Sequence, residues 1–92
     1  MNYEVQYMPE AINDITDLKR TDIQAYKKVT NLIKELHEHP RLGTGKPELL
    51  KHGRFKGLWS RRITSKHRLV YSIKDNEITV LVLAAKGHYD DR

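Results

Sequence analysis

Apolar and polar residues alternate over residues 2–8, with Tyr3, Val5 and Tyr7 on one side and Asn2, Glu4 and Gln6 on the other. That period of two predicts a strand with one wet face. Pro9 suits the first turn of a helix, where a missing N–H costs nothing, and Ala11, Ile12, Ile15 and Leu18 recur at helical spacing until about Arg20. Thr21 and Asp22 are capping types, and Gln24 stands three after Thr21 as in a capping box. Ile23, Tyr26, Val29, Ile33 and Leu36 then line one stripe of a second, longer helix that ends near His39. Pro40, Gly43, Gly45 and Pro47 punctuate a loop. Four apolar segments follow, at 49–50, 58–63, 69–73 and 78–83, and each reads as a strand. Between the last two, Asp75 and Asn76 tolerate the left-handed conformations of a tight hairpin turn.

Strand, two helices, four strands is the order of an α+β fold, with both helices packed on one face of a mainly antiparallel, twisted sheet. The other face is expected to stay open. The chain shows no internal repeat, low-complexity tract or linker, so one domain is expected over residues 1–92, with its function on the open face or the loops around it.

Composition narrows this picture. At 92 residues, 38% hydrophobic and 32% charged, the chain can build one core and has no room for a second. Without cysteine it can have no disulfide framework, thiolate zinc site or cysteine nucleophile. The N-terminal residues lack an apolar signal core, and the longest near-continuous apolar run, 78–85, is far too short to span a bilayer. A cytoplasmic protein is therefore expected. The formal charge of +5 is unevenly placed: residues 46–68 hold eight basic side chains and one acid, Glu48, for +7, which leaves −2 for the rest. Such a concentrated positive field attracts polyanions, nucleic acid above all; the alternative is a solvated basic face that serves solubility.

Several residues in this stretch could carry chemistry. Alternation puts Trp59, Arg61 and Ile63 on one side of their strand and Leu58, Ser60 and Arg62 on the other, while Arg68, Val70 and Ser72 share a face of the next. One arginine from each strand can then project from the open face, where a phosphate would match the paired planar forks; otherwise the two reach solvent or pair with acids. Glu48, flanked by Lys46 and Lys51, stays ionised and could take a proton from a ribose hydroxyl, or form an ordinary ion pair. His88 could donate a proton to a departing oxygen, or be merely exposed; Tyr89 could stack on a base, bond a phosphate or pack against the sheet. Trp59 is better read as packing than as a stacking platform. His37 and His39 point about 200° apart on a helix and have no third ligand at a characteristic spacing, so no metal is expected. Gly43 and Gly45 precede no Lys-Ser/Thr pair, so no nucleoside triphosphate loop is indicated.

The runs GKPELLKH (45–52), WSRRI (59–63), HRLVY (67–71) and GHYDD (87–91), in this order and spacing, resemble the YoeB/Txe branch of the RelE/ParE toxins over the whole domain. The resemblance implies the toxin of a type II toxin–antitoxin pair: a ribosome-dependent endoribonuclease of messenger RNA that needs no cofactor. It implies as partners a YefM/Axe-like antitoxin, the ribosome and mRNA, and operator DNA through the antitoxin complex; whether the toxin forms a homodimer stays open. By position it assigns Glu48 as general base, Arg68 as phosphate stabiliser, and His88 and Tyr89 as the terminal catalytic pair. Lys46, Lys51, Arg61 and Arg62 become the RNA- and phosphate-binding candidates. Two departures from the family pattern are visible. Asp90, Asp91 and Arg92 follow the His-Tyr pair on which many relatives end, and AAKG (84–87) replaces a more aromatic or cysteine-containing approach. The ParE branch, which resembles the same fold, offers the alternative of a non-enzymatic gyrase inhibitor, and charge alone would also fit a passive RNA-binding module.

Overall fold

The structure, a computed structural model, describes residues 2–87. The elements run β1 (Glu4–Tyr7), α1 (Pro9–Thr21), α2 (Ile23–Glu38), β2 (Glu48–Leu49), β3 (Trp59–Arg62), β4 (Arg68–Lys74), a single 3-10 turn at Asp75–Glu77, and β5 (Thr79–Ala84). The sheet order is β1-β5-β4-β3-β2. β1 lies parallel to β5 at one edge, and the other three pairings are antiparallel, which makes the fold α+β with a mixed sheet. Among the described residues no helix is long and apolar enough to cross a membrane.

Both helices cover one face. Pro9 opens α1 as expected, and the buried residues of α1 are Ala11 and Leu18. The cap of α2 is Asp22, whose carboxylate accepts from the Ala25 N–H at 3.1 Å. Thr21 does not act as a capping-box residue, because its hydroxyl donates instead to the Asp17 carbonyl. The buried line of α2 is Ala25, Val29, Leu32 and Leu36, rotated slightly from the expected stripe. Tyr26 and Ile33 flank it half-buried, and Ile23 is exposed. This rotation points the small Ala25 at the core, where it permits close approach. Leu69, Tyr71, Val80, Val82 and Ile63 supply the sheet's side of that core, with Trp59 packed against its edge. An apolar cleft of about 310 Å³ between β1, α1 and α2 is lined by Tyr7, Ile12, Ile15, Thr16, Tyr26, Thr30 and Ile33, none of them a candidate residue.

Two expectations need correction. The 75–77 turn is not a two-residue hairpin: Asp75 opens a 3-10 turn, and Ile78 takes the left-handed conformation at φ 50°. The Asp75 carboxylate is committed elsewhere, accepting from the Tyr3 hydroxyl at 2.7 Å and from Arg41 at 2.6 Å. Nor is the second face of the sheet simply open. Leu50, Val70 and Ala84 are buried there, apart from the helix-side core, and the 50–58 loop folds back on itself through Leu50 N–H to the Leu58 carbonyl and Gly57 N–H to the Leu50 carbonyl. The face is therefore exposed at two separate ends, one carrying Glu4, Gln6 and Lys74 and the other the end where β2, β3 and β4 carry Glu48, Arg62 and Arg68.

Candidate active site

Register brings the first three candidates together. Glu48 pairs with Ser60 across β2 and β3, and Arg62 pairs with Arg68 across β3 and β4. Residues directly opposite share a face, and those two along a strand share it again, so Glu48, Ser60, Arg62 and Arg68 all stand on the face away from the helices. Glu48 and Arg68 meet at 3.5 Å, with side-chain exposures of 56% and 23%. Arg62 is exposed. Like charges directly opposite on a sheet are unfavourable, and a single carboxylate beside two guanidinium groups leaves a net positive seat for an anion. Beneath them, Ser60 is fully buried and its hydroxyl has no hydrogen-bond partner.

The segment leading into β2 is bent to reach this position. Arg62 N–H donates to the Gly45 carbonyl at 2.6 Å, which lays the segment alongside β3 before the β2 pairing begins. Gly45 has φ 85°, and a Cβ there would come within 2.8 Å of the Arg62 carbonyl, so side chains are excluded on both counts. Lys46 follows at φ 51°, uncommon for a residue with a side chain. Lys46 and Lys51 are both exposed and stand on either side of Glu48 in sequence.

Arg61 does not reach this face. Its side chain is fully buried, on the helix side, and every N–H of its guanidinium is used. Nε donates to the Tyr71 hydroxyl at 3.1 Å. One terminal nitrogen donates to Glu35 at 2.7 Å and to the Thr44 carbonyl at 3.3 Å; the other donates to the carbonyls of His39 and Leu42. The assignment of Arg61 to RNA or phosphate is therefore corrected: no donor is left over, and no surface is offered. Partial burial pushes the Glu35 carboxyl up, but hydrogen bonds from Thr44 and Arg61 outweigh it and hold the group below its ordinary value. Burial pushes the Tyr71 phenol up, and its hydroxyl donates onward to the Pro40 carbonyl at 2.7 Å.

His88 and Tyr89 lie outside the described residues, as do Asp90, Asp91 and Arg92. The residues before them are firmly attached. Ala85 N–H donates to Asp14 of α1 at 3.1 Å, Lys86 pairs with Asp17, and Gly87 N–H donates to Nδ1 of His67 at 2.9 Å. The Gly87 carbonyl accepts from the Arg68 N–H at 3.2 Å. Sequence reasoning missed His67, although it immediately precedes Arg68. Trp59 packs on the core edge with Arg41 over its ring at 5.9 Å, as its strand position suggested. His37 and His39 do not converge: His37 Nδ1–H donates to the Tyr3 carbonyl, and His39 lies near Glu38. Among the described residues there is no cluster of three or more metal-ligating side chains.

Solved structures with this architecture define its class as YoeB/RelE-like. A YoeB/ParE toxin from Agrobacterium tumefaciens superposes with a TM-score of 0.84 at 35% identity, covering 94% of this chain and 99% of that one. A YoeB dimer from Staphylococcus aureus matches at 0.80 and 33% identity, covering 97% and 100%. A heterotetrameric YoeB–YefM toxin–antitoxin complex from the same organism matches at 0.78 and 32%, with the same coverage. In sequence, Toxin YoeB of Escherichia coli K12 is 44% identical over 80 residues, which cover 87% of this chain and 92% of the relative. The family model for the YoeB-like toxin of bacterial type II toxin–antitoxin systems matches residues 7–89. The chain belongs to that family.

Proposed function

We propose that this toxin is a ribosome-dependent endoribonuclease that cuts messenger RNA by attack of the ribose 2′-hydroxyl on its own phosphodiester. The observation that supports this best is the Glu48–Arg68 pair at 3.5 Å with Arg62 directly across from Arg68. In the reaction Glu48 takes the 2′-hydroxyl proton, the 2′-oxygen bonds to phosphorus, and Arg68 and Arg62 stabilise the charge on the phosphorane. The bond to the 5′-oxygen then breaks. His88 gives that oxygen its proton, and the products carry a 2′,3′-cyclic phosphate and a 5′-hydroxyl. Tyr89 contributes a ring or hydroxyl to the scissile nucleotide, and Lys46 and Lys51 hold the RNA backbone. Four cationic side chains supply the charge a metal would otherwise bring, so on this reading the chemical step itself needs no metal.

The partner that keeps the toxin silent is, on this reading, an antitoxin similar to YefM, and operator DNA is reached through that complex. The test is single-turnover cleavage on translating ribosomes with mapping of the RNA ends. Glu48→Gln should slow cleavage by about a hundredfold or more while ribosome binding persists. Wild-type rates in this variant would return Glu48 to an ordinary surface ion pair.

A further inference from the structure

Arg61 is a charged side chain with nothing to do at the RNA and an unusual amount to do inside the protein. Three of its five bonds go to main-chain carbonyls, of His39, Leu42 and Thr44, all in the segment between α2 and β2. Its Glu35 partner reaches the same segment, accepting from the Thr44 N–H at 2.8 Å, and its Tyr71 partner donates to the Pro40 carbonyl. The segment thus wraps a guanidinium and leaves it with Gly45 fixed to β3, Lys46 in a left-handed conformation and Glu48 paired opposite Ser60. Gly43, at φ 120°, is part of the same fit: a Cβ there would overlap the Glu35 carboxylate and stand 3.2 Å from the Arg61 guanidinium.

We infer that Arg61 is the positioning residue of the general-base segment, setting through its grip on residues 39–44 where Glu48 stands relative to Arg68. The inference rests on the nuclease reading above. Adjacent arginines on one strand thereby divide the work, with Arg62 facing the phosphate and Arg61 holding the carboxylate's support from the other side of the sheet. A guanidinium is required because a lysine in its place offers three donors without the planar fork, and cannot satisfy carbonyls that approach from several directions in one plane.

The test compares wild type, Arg61→Lys, Gly43→Ala and Arg62→Ala on translating ribosomes, well below each protein's melting temperature and with far-UV circular dichroism to establish folding. Arg61→Lys works from the strand and Gly43→Ala from the loop, so one can serve if the other fails to fold. Both should lower kcat by about 10²-fold, as a small misplacement of a catalytic group does, with KM nearly unchanged. The acidic limb of their pH–rate profile should move and amides of residues 44–48 should exchange faster. Arg62→Ala, which removes a phosphate contact as well as transition-state charge, should also lower kcat but, unlike those two variants, raise KM and flatten its salt dependence. Wild-type kcat in the folded variants, or a salt dependence in Arg61→Lys flattened as much as in Arg62→Ala, would overturn the positioning role and leave the nuclease reading intact. A wild-type protein that cuts no RNA would overturn the nuclease reading itself.

Discussion

An exposed carboxylate 3.5 Å from a guanidinium contributes little to stability, because water and salt screen the pair. On the nuclease reading, Glu48 and Arg68 can therefore exchange each other for a substrate. Arg68→Ala should change unfolding free energy by no more than about 1 kcal/mol while abolishing most cleavage. Arg61 behaves oppositely. Removing its fully buried guanidinium strands the half-buried Glu35 carboxylate and three loop carbonyls at once, so Arg61→Ala should cost about 3–5 kcal/mol in urea unfolding, enough to threaten a domain of this size. Strand alternation already separates these neighbours, placing Arg61 and Arg62 on opposite faces. What it leaves out is that an arginine can face the core, since Glu35, the three loop carbonyls and Tyr71 that accept its protons come from positions 10 to 26 residues away. His67 was illegible for the same reason: its partner, Gly87, is 20 residues distant.

At the scale of elements, period and capping chemistry located the helices and strands, because both are local. The finer errors arose where a side chain was claimed by a partner other than the expected one, distant for Asp75 and one turn away for Thr21. Asp75 serves Tyr3 and Arg41 rather than a hairpin turn, and Asp22 rather than Thr21 starts α2. Replacing that cap, Asp22→Ala, should cost about 1 kcal/mol, read by thermal or urea unfolding. The loop between α2 and β2 carries a pH signature through Glu35. Its folded pKa lies below the ordinary 4.5, so the stability it contributes is complete above that value and is lost as pH falls through the lower, folded one. Acid unfolding of Glu35→Gln should accordingly be shallower below pH 4.5 than that of wild type, from a lower starting stability. An acid limb of unchanged slope would mean that Glu35 titrates alike in both states.

Across the whole molecule, the +7 of residues 46–68 is not one surface. Arg61 is withdrawn from it to the helix side and neutralised by Glu35, while Lys46, Lys51, Arg54, Lys56, Arg62 and Lys66 are exposed and Arg68 sits partly covered at the site. On the proposed reading, that distribution gives general attraction to a large polyanion from the loops and one seat for its phosphate. The fold leaves the cluster on the sheet face opposite the helices, and α1 anchors the strand end that leads to His88 through Asp14 and Asp17. Within the described residues, the resemblance rested on segments that supply this face, with Glu48 from GKPELLKH, Arg62 from WSRRI and Arg68 from HRLVY. The central claim is that the substrate supplies its own nucleophile, and it is tested most directly by mRNA carrying a single 2′-deoxynucleotide at the mapped cut site, presented on the ribosome. Cleavage at that position should vanish while neighbouring positions are unaffected, and cleavage that survives the substitution would contradict the mechanism.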